Sequence, residues 1–383
     1  MKSFEPSVYM PVVAVVGAGI AGASCARALS DAGCTVRVYD KSRGPGGRLA
    51  TRRVLWANSQ TQGRSTRFDH GSPGFDACTP AFRRFTAGAL RAGWLAAWAP
   101  VHDPRGLGRD GAATTLLPVP DMPTLCRNLL HGIDAAWASP VQALHLGRPA
   151  GSGWALHGAE GLLGEGFDAV VLAMPPAQAG QLLAAHRPAW SRHAALALMQ
   201  PCWTLMGISA TPNAALDWDV SRPPRGPLCA AHRNESRPGR EVPNGEVHWV
   251  LHARPAWSRL HLEKDADWVR AQLQGALAEW LGTPVQWHHA ITHRWRYAMP
   301  QSGSANPVGQ CWWDAALKLG VCGDYLGGGG AGGDGDVVGG VGGVGGVGGG
   351  VEAAWLSAQA LADQILATAA ARHVSGPGRH VAA

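Results

Sequence analysis

Glycines at 17, 19 and 22 and a carboxylate at 40 are the residues whose types and spacing most directly imply chemistry in this chain. In the run Gly17-Ala18-Gly19-Ile20-Ala21-Gly22, the first glycine permits a tight turn and the second lets the backbone approach a pyrophosphate. The third lets a helix pack closely on a strand. Asp40, about twenty residues further on, stands where an acid accepts hydrogen bonds from a ribose diol. This set specifies a dinucleotide; alone it does not separate FAD from NAD.

For these glycines to act, a strand must deliver them and a helix must follow. The apolar, β-branched run from Val12 to Val16 reads as a buried parallel strand. Ala21, Cys25, Ala28 and Leu29 then recur at helical spacing until Gly33, and a second strand from Thr35 to Tyr39 delivers Asp40. The helix N-terminus offers N–H groups and a partial positive charge to phosphates, with Ile20 and Ala21 in its first turn. Directly after the acid comes Lys41-Ser42-Arg43-Gly44-Pro45-Gly46-Gly47-Arg48. This resembles the GGR extension of the glutathione reductase and amine oxidase class of flavoproteins, in which it touches the cofactor from a second side. Arg48 is then expected at phosphate or the flavin end and Arg43, unless it is a solvated surface arginine, at the adenosine end.

Five further stretches narrow the resemblance: FDHG (68–71), FDAVVLAMPP (167–176), HRWRYAMP (293–300), GVCGDYLGG (320–328) and VEAAWLS (351–357). Their order and spacing are similar to those of renalase-like FAD-dependent oxidoreductases, and the likeness runs from about Val12 to Ile365. It implies an α/β protein: a Rossmann-like FAD-binding domain interrupted by a mixed-sheet α+β substrate domain. The FAD-binding parts are expected at 11–78, 121–176 and 305–372, and the substrate parts at 79–120 and 177–304. Helical spacing appears over 121–131 and, as an amphipathic helix, over 266–281, with short strands over 137–169 and a buried strand over 169–173.

The resemblance also implies a reaction. Family substrates are reduced nicotinamide dinucleotides with the hydride on the wrong ring carbon, the 2- or 6-dihydro isomers of NAD(P)H. Oxidation passes hydride to flavin N5, returns NAD(P)+, and delivers the electrons to O2 as H2O2. A dihydropyridine becomes an aromatic cation on losing hydride, so stacking and orientation matter more than a general base. Two other readings stay open: an amine oxidase-like flavoenzyme acting on another small molecule, and a catalytically inert flavin-binding homologue.

Cofactor contacts are expected at Gly71 and Ser72, at Val141 beside adenine, at Gly323 and Asp324 near ribityl or pyrophosphate oxygens, and at Val351 and Glu352, where a helix N-terminus faces the flavin. His70, Trp295, Arg296 and Tyr297 are the pocket candidates, with core packing the alternative for the two aromatic residues. Ser72-Pro73-Gly74-Phe75 replaces the polar residue and tyrosine common after DHG in the family. His289 and His293, four apart, would share one helix face as metal ligands, but Ile291, Trp295 and Tyr297 alternate as in a strand. No metal is therefore expected.

Composition limits the rest. The net charge of +6 comes from scattered arginines without a block of like charge, which argues against a nucleic-acid groove. Eight dispersed cysteines without a CxxC pair favour a reducing compartment, and no leader-like or membrane-spanning run is apparent, so a cytoplasmic protein is expected.

The glycine-valine tract at 327–350 joins the last cofactor strand to the final helix, where related sequences have a few residues ending in Gly-Arg-Val-Glu; here Gly350 replaces that arginine. A solvent bulge is favoured over a lid or a disrupted site, because each doubling of a flexible loop costs only about 0.6 kcal/mol. Deleting Gly329 to Gly348 is expected to leave flavin retention and flavin reduction at the level of the intact chain, measured by visible absorbance.

Overall fold

The computed structural model describes residues 10–58, 61–107, 114–147, 153–214, 216–240, 245–301, 309–326 and 350–374. The expectation for the glycine-valine tract falls on 327–349, outside the described residues.

A 6-stranded sheet runs in the order Trp312–Asp314, Leu319–Val321, Ala169–Leu172, Val12–Val16, Thr35–Tyr39, Asp134–Ala136. All neighbours are parallel except the Trp312–Asp314 edge strand. Strand alternation divides Val12–Val16 between two cores. Val13 and Val15 face a helical layer, and Ala14 and Val16 face the opposite side. Both faces are apolar because both are covered, as a parallel sheet requires.

The helical layer contains Ile20–Asp31 and Val351–Val374, which share a core through Ala21, Cys25, Ala354, Ala358 and Leu361. On the other face lies a 3-stranded antiparallel sheet of Ala143–Leu146, Trp154–Gly158 and Gly161–Phe167, whose Leu144, Trp154, Leu156 and Phe167 pack under Ala14 and Val16.

The second unit is a 5-stranded antiparallel sheet in the order Val220–Ser221, Leu228–Arg233, Glu246–Ala253, Met199–Ala210, Trp287–Pro300. Helix Ala266–Leu281 covers one face through Val269, Leu273, Leu277 and Leu281, which recur every fourth residue. Asp265 caps its start by accepting from the Trp268 N–H at 2.8 Å, and left-handed Gly282 ends it. The hairpin Thr51–Asn58 and Thr61–Asp69 lies against the other face, with Val54, Trp56 and Phe68 on Met206, Ile208 and Val250.

Two expectations change. The helix expected over 121–131 is reduced to Thr124–Leu129, because Pro123 sits at its N-cap and Gly132, at φ +76°, follows its end. The segment 79–120 does not pack with the substrate sheet alone. Phe82, Ala89, Leu95, Trp98 and Leu117 enter the core of the nucleotide domain, and Trp355 of the last helix lies 5.5 Å from the Phe82 ring.

Gly22 is the tightest joint in this architecture: a Cβ there would lie 1.8 Å from the Gly17 carbonyl oxygen. Gly22→Ala therefore forces helix and strand apart and is expected to destabilise flavin-free protein by more than about 3 kcal/mol, read from urea denaturation.

Candidate functional site

The first strand ends at Gly17 with φ +111°, a conformation that side chains disfavour, and a Cβ there would lie 2.2 Å from the Ala173 carbonyl. Gly17 and Gly22 thus allow backbone to touch backbone. Gly19 differs, because its nearest neighbour is the Gly47 Cα at 3.9 Å and the space beside it is open. A parallel bridge joins Gly19 to Gly46, and the Gly46 N–H donates to the Ala18 carbonyl at 2.9 Å. Gly19 is also the N-cap of helix Ile20–Asp31, with no side-chain cap, so the first-turn N–H groups are left for another acceptor. Two walls of bare backbone therefore face one another at a helix N-terminus, which fits a pyrophosphate.

Asp40 is held beside this cradle. Its Oδ2 accepts from the Ala18 N–H at 2.6 Å and its Oδ1 from the Ser42 N–H at 2.7 Å. Each oxygen keeps a second acceptor position for a ribose diol. The Ser139 N–H donates to the Asp40 carbonyl at 2.9 Å, which brings the stretch leading to half-buried Val141 alongside; Val141 precedes strand Ala143–Leu146 rather than starting it. Lys41 and Arg43 are exposed, whereas Ile20 and Ala21 are buried in the first turn of the helix.

Arg48 meets Asp324 in a two-pronged ion pair, Nη1 to Oδ2 at 2.6 Å and Nη2 to Oδ1 at 2.7 Å. The same Nη1 donates to the Ala298 carbonyl at 3.2 Å. Ala298 lies in a register shift of strand Trp287–Pro300, where the pairing of Cys202 with Trp295 is followed by that of Gln200 with Met299. Bulges of this kind re-aim a strand beside a site. The Arg48 carbonyl accepts from the Ser72 N–H at 2.9 Å, and a Cβ on Gly71 would lie 2.1 Å from that same carbonyl. Gly323 donates its N–H to Ser357 Oγ at 3.0 Å, so the loop is tied to the last helix.

Glu352, at the start of the last helix, has its side chain engaged by another part of the chain. Its carboxylate accepts from the Thr79 N–H at 2.6 Å and the Cys78 N–H at 2.8 Å, pinning the start of helix Pro80–Arg91. Val351, buried, begins the last helix as expected. Arg296 is displaced from its expected place: it is exposed and both Nη atoms bind Glu263, at 2.6 and 3.0 Å, while half-buried Tyr297 follows it in the bulge.

Trp295 and His70 do come together. Their rings lie 5.1 Å apart at 30°, and Trp295 Nε1 donates to the His70 carbonyl at 3.0 Å. His293 meets both edge-on, 4.9 Å from His70 and 4.5 Å from Trp295. On a strand, His289 and His293 stand about 13 Å apart, too far to share a metal ion. His252, absent from the sequence expectations, donates through Nε2 to the Gly71 carbonyl at 3.1 Å. His293 and Trp295 sit two apart in a strand-like run, a signal that one face was shared; nothing local marked His252.

Burial, followed by the nearby His293 and Arg52, pushes His70 down to about 3. Burial and then Arg237 push His252 down to about 4. The cluster of His70, His293 and Trp295 is thus aromatic and uncharged at neutral pH.

Comparison with known proteins supports this architecture. The NAD(P)-binding Rossmann-like domain family matches residues 15–88. The fold is similar to that of a protein from Exiguobacterium sp. 255-15 described as a "Putative protoporphyrinogen oxidase", with TM-score 0.65, 12% identity, and coverage of 94% of this chain and 99% of that one. A triple mutant of putrescine oxidase superposes with TM-score 0.60 at 13% identity, covering 93% and 99%. Reduced UDP-galactopyranose mutase superposes with TM-score 0.56 at 13% identity, covering 76% and 83%. The fold is a Rossmann-like domain joined to a separate sheet-rich domain.

The lowered histidines fix a pH dependence. Between the ordinary value of 6.5 and the folded values near 3 and 4, the unfolded chain holds protons that the native chain does not. Stability is complete above pH 6.5 and falls with acid by about 1.4 kcal/mol per pH unit for each such histidine. Urea midpoints measured from neutral pH down to the folded values are expected to show this slope, with His252→Gln, whose amide can still donate to Gly71, removing one proton from it.

Proposed function

We propose that the protein is an FAD-dependent oxidoreductase that oxidises the 2- or 6-dihydro isomers of NAD(P)H to NAD(P)+. FAD, when bound, supplies the hydride acceptor and passes the electrons to O2, giving H2O2. The chain's own residues bind, orient and exclude water.

The cradle of Gly17, Gly19, Gly22, Gly46 and Gly47 suits the pyrophosphate, and Asp40 suits the adenosine ribose. Ile20 and Ala21 begin the helix that faces it, Lys41 and Arg43 are exposed nearby in sequence, and Val141 would lie on the adenine side. Arg48, Gly71, Ser72, Gly323 and Asp324 would serve the far end, with Val351 at the start of the last helix; there Arg48 holds Asp324 and Ala298. Glu352 supports this end indirectly through Cys78 and Thr79.

The observation that carries the choice of substrate class is the uncharged wall of His70, His293 and Trp295. A hydride donor that becomes aromatic on oxidation needs a stacking surface and no proton acceptor. An amine, protonated in water, must lose a proton before it is oxidised, and His70, held near 3, is a poor acceptor for it. The likeness in fold to putrescine oxidase keeps amine oxidation as the second reading. We place the protein in the cytoplasm, without nucleic-acid or membrane partners; its cysteines are free, and among the described residues no helix is long and apolar enough to cross a membrane.

Under anaerobic conditions, 2- or 6-dihydro-NAD(P) is expected to bleach the flavin absorbance of the purified protein, and putrescine is not. The reverse pattern moves the protein to the amine oxidases, and yellow protein bleached by neither is an inert homologue.

A further inference from the structure

A second polar centre lies on the hairpin strand Thr61–Asp69, outside the glycine cradle. Asp69 is buried with two guanidinium groups, those of Arg237 and Arg240, whose side chains are 0% and 5% exposed. Its Oδ1 accepts from Thr51 Oγ1 at 2.6 Å. Its Oδ2 accepts from Arg240 Nε at 2.9 Å, with Arg240 Nη2 at 2.7 Å, and reaches Arg237 Nη1 only at 3.5 Å. Two buried cations therefore share one carboxylate.

The neighbouring carboxylates have other partners. Glu246 binds Arg64 at 2.6 Å, and Glu235 binds Arg233 at 3.1 Å. His232 and His252 are held neutral by burial and then by Arg237 itself, so they add no negative charge. Arg237 Nε and Nη2 have no hydrogen-bond partner among the described residues, and Arg240 Nη2 has only its ion pair with Asp69. A buried positive charge without compensation is costly, and unmet guanidinium N–H groups add to that cost.

Beside this cluster is a cavity of about 290 Å³. Arg240 and Asn234 are buried residues of its lining, and Ser65 and Arg67 are exposed ones. Thr66 and His248 also line it. Asn234 covers the outer strand edge at Asp69 and Arg67, accepting from the Asp69 N–H at 3.2 Å and donating to the Arg67 carbonyl at 3.1 Å. The volume is several times the ~30 Å³ of one water, but at the bottom of the range of roughly 300–1,000 Å³ for drug-sized ligands. It suits a small anion, or one charged end of a larger molecule.

We propose that this cavity binds a phosphate-class oxyanion, whose charge offsets the excess of the Asp69–Arg237–Arg240 cluster and whose oxygens accept from Arg240 and the donors of the hairpin strand. Free phosphate and the phosphate of a nicotinamide nucleotide share this chemistry. The site stands independently of the oxidase reading, because its charge balance does not involve the cradle.

Inorganic phosphate titrated into the protein as isolated, in dilute phosphate-free buffer, is expected to raise the melting temperature and change tryptophan fluorescence saturably; Trp56 under Arg64 and Trp98 under Arg237 are the reporters. Arg240→Gln is expected to weaken this binding about tenfold or more, and the exposed Arg67→Ser about threefold. Nicotinamide mononucleotide that competes with phosphate identifies the nucleotide as the source, and phosphate binding undisturbed by it identifies the free anion. If neither probe saturates, or if both substitutions leave the titration unchanged, the proposal is overturned. Should Arg240→Gln fail to fold, Arg67→Ser and Thr66→Val carry the comparison. No step of the titration depends on turnover, so its result is separable from that of the flavin-bleaching assay.

Discussion

The ion pair of Arg48 with Asp324 joins positions 276 residues apart, and much of the site is registered on it. Asp324 is almost completely buried and the guanidinium is its opposite charge, whereas the Arg48 side chain is about one-third exposed. An Asp324 left without that partner would be an uncompensated interior charge, the situation that makes breaking a buried pair costly. The same arginine collects three strands of chain. Its Nη1 takes the Ala298 carbonyl from the substrate sheet, its own carbonyl takes the Ser72 N–H at the hairpin exit, and Asp324 follows the last parallel strand. One contact therefore sets both the closure of the nucleotide domain and the placing of the wall opposite it.

Much of this architecture was legible locally. Val12–Val16, Thr35–Tyr39 and Ala266–Leu281 have the limits that periodicity and end signals predict, because each is decided by short-range pattern and then buried in the manner that pattern requires. The glycine cradle was legible for the same reason: steric demands at Gly17 and Gly22 leave few residues to choose from. What sequence could not supply were partners. Glu352 reads as a first-turn residue beside a cofactor, and its carboxylate is taken by the main chain of Cys78 and Thr79, 274 and 273 residues away. Arg296 reads as a pocket cation, but it is exposed, and Glu263 holds it there. The bulge that presents Ala298 to Arg48 has no local signature at all.

Asp69 and His70 show how consecutive residues can serve different electrostatic purposes. Asp69 meets Arg237 and Arg240 from the segment after Leu228–Arg233, while His70 meets His293 and Trp295 from the far edge strand. One centre is charged and rich in donors; the other is neutral and flat. Asp69 and His70 are both buried, and the hairpin that carries them is fixed to the substrate sheet by Val54, Trp56 and Phe68.

These centres are nevertheless coupled through Arg237. Burial is the first cause of the lowered His252 and His232, but the Arg237 charge is the second in both, and His252 holds the Gly71 carbonyl beside Arg48. An oxyanion at the Arg240 cavity reduces the positive field that reaches these rings, and with it part of their resistance to protonation. By linkage, anion binding there favours proton uptake at His252 and protonation favours the anion. The burial contribution is untouched by the anion, so the rings stay neutral at physiological pH, and the coupling acts only as the protein enters acid. The charge that demands a counterion thus also helps to keep His252 and His232 uncharged.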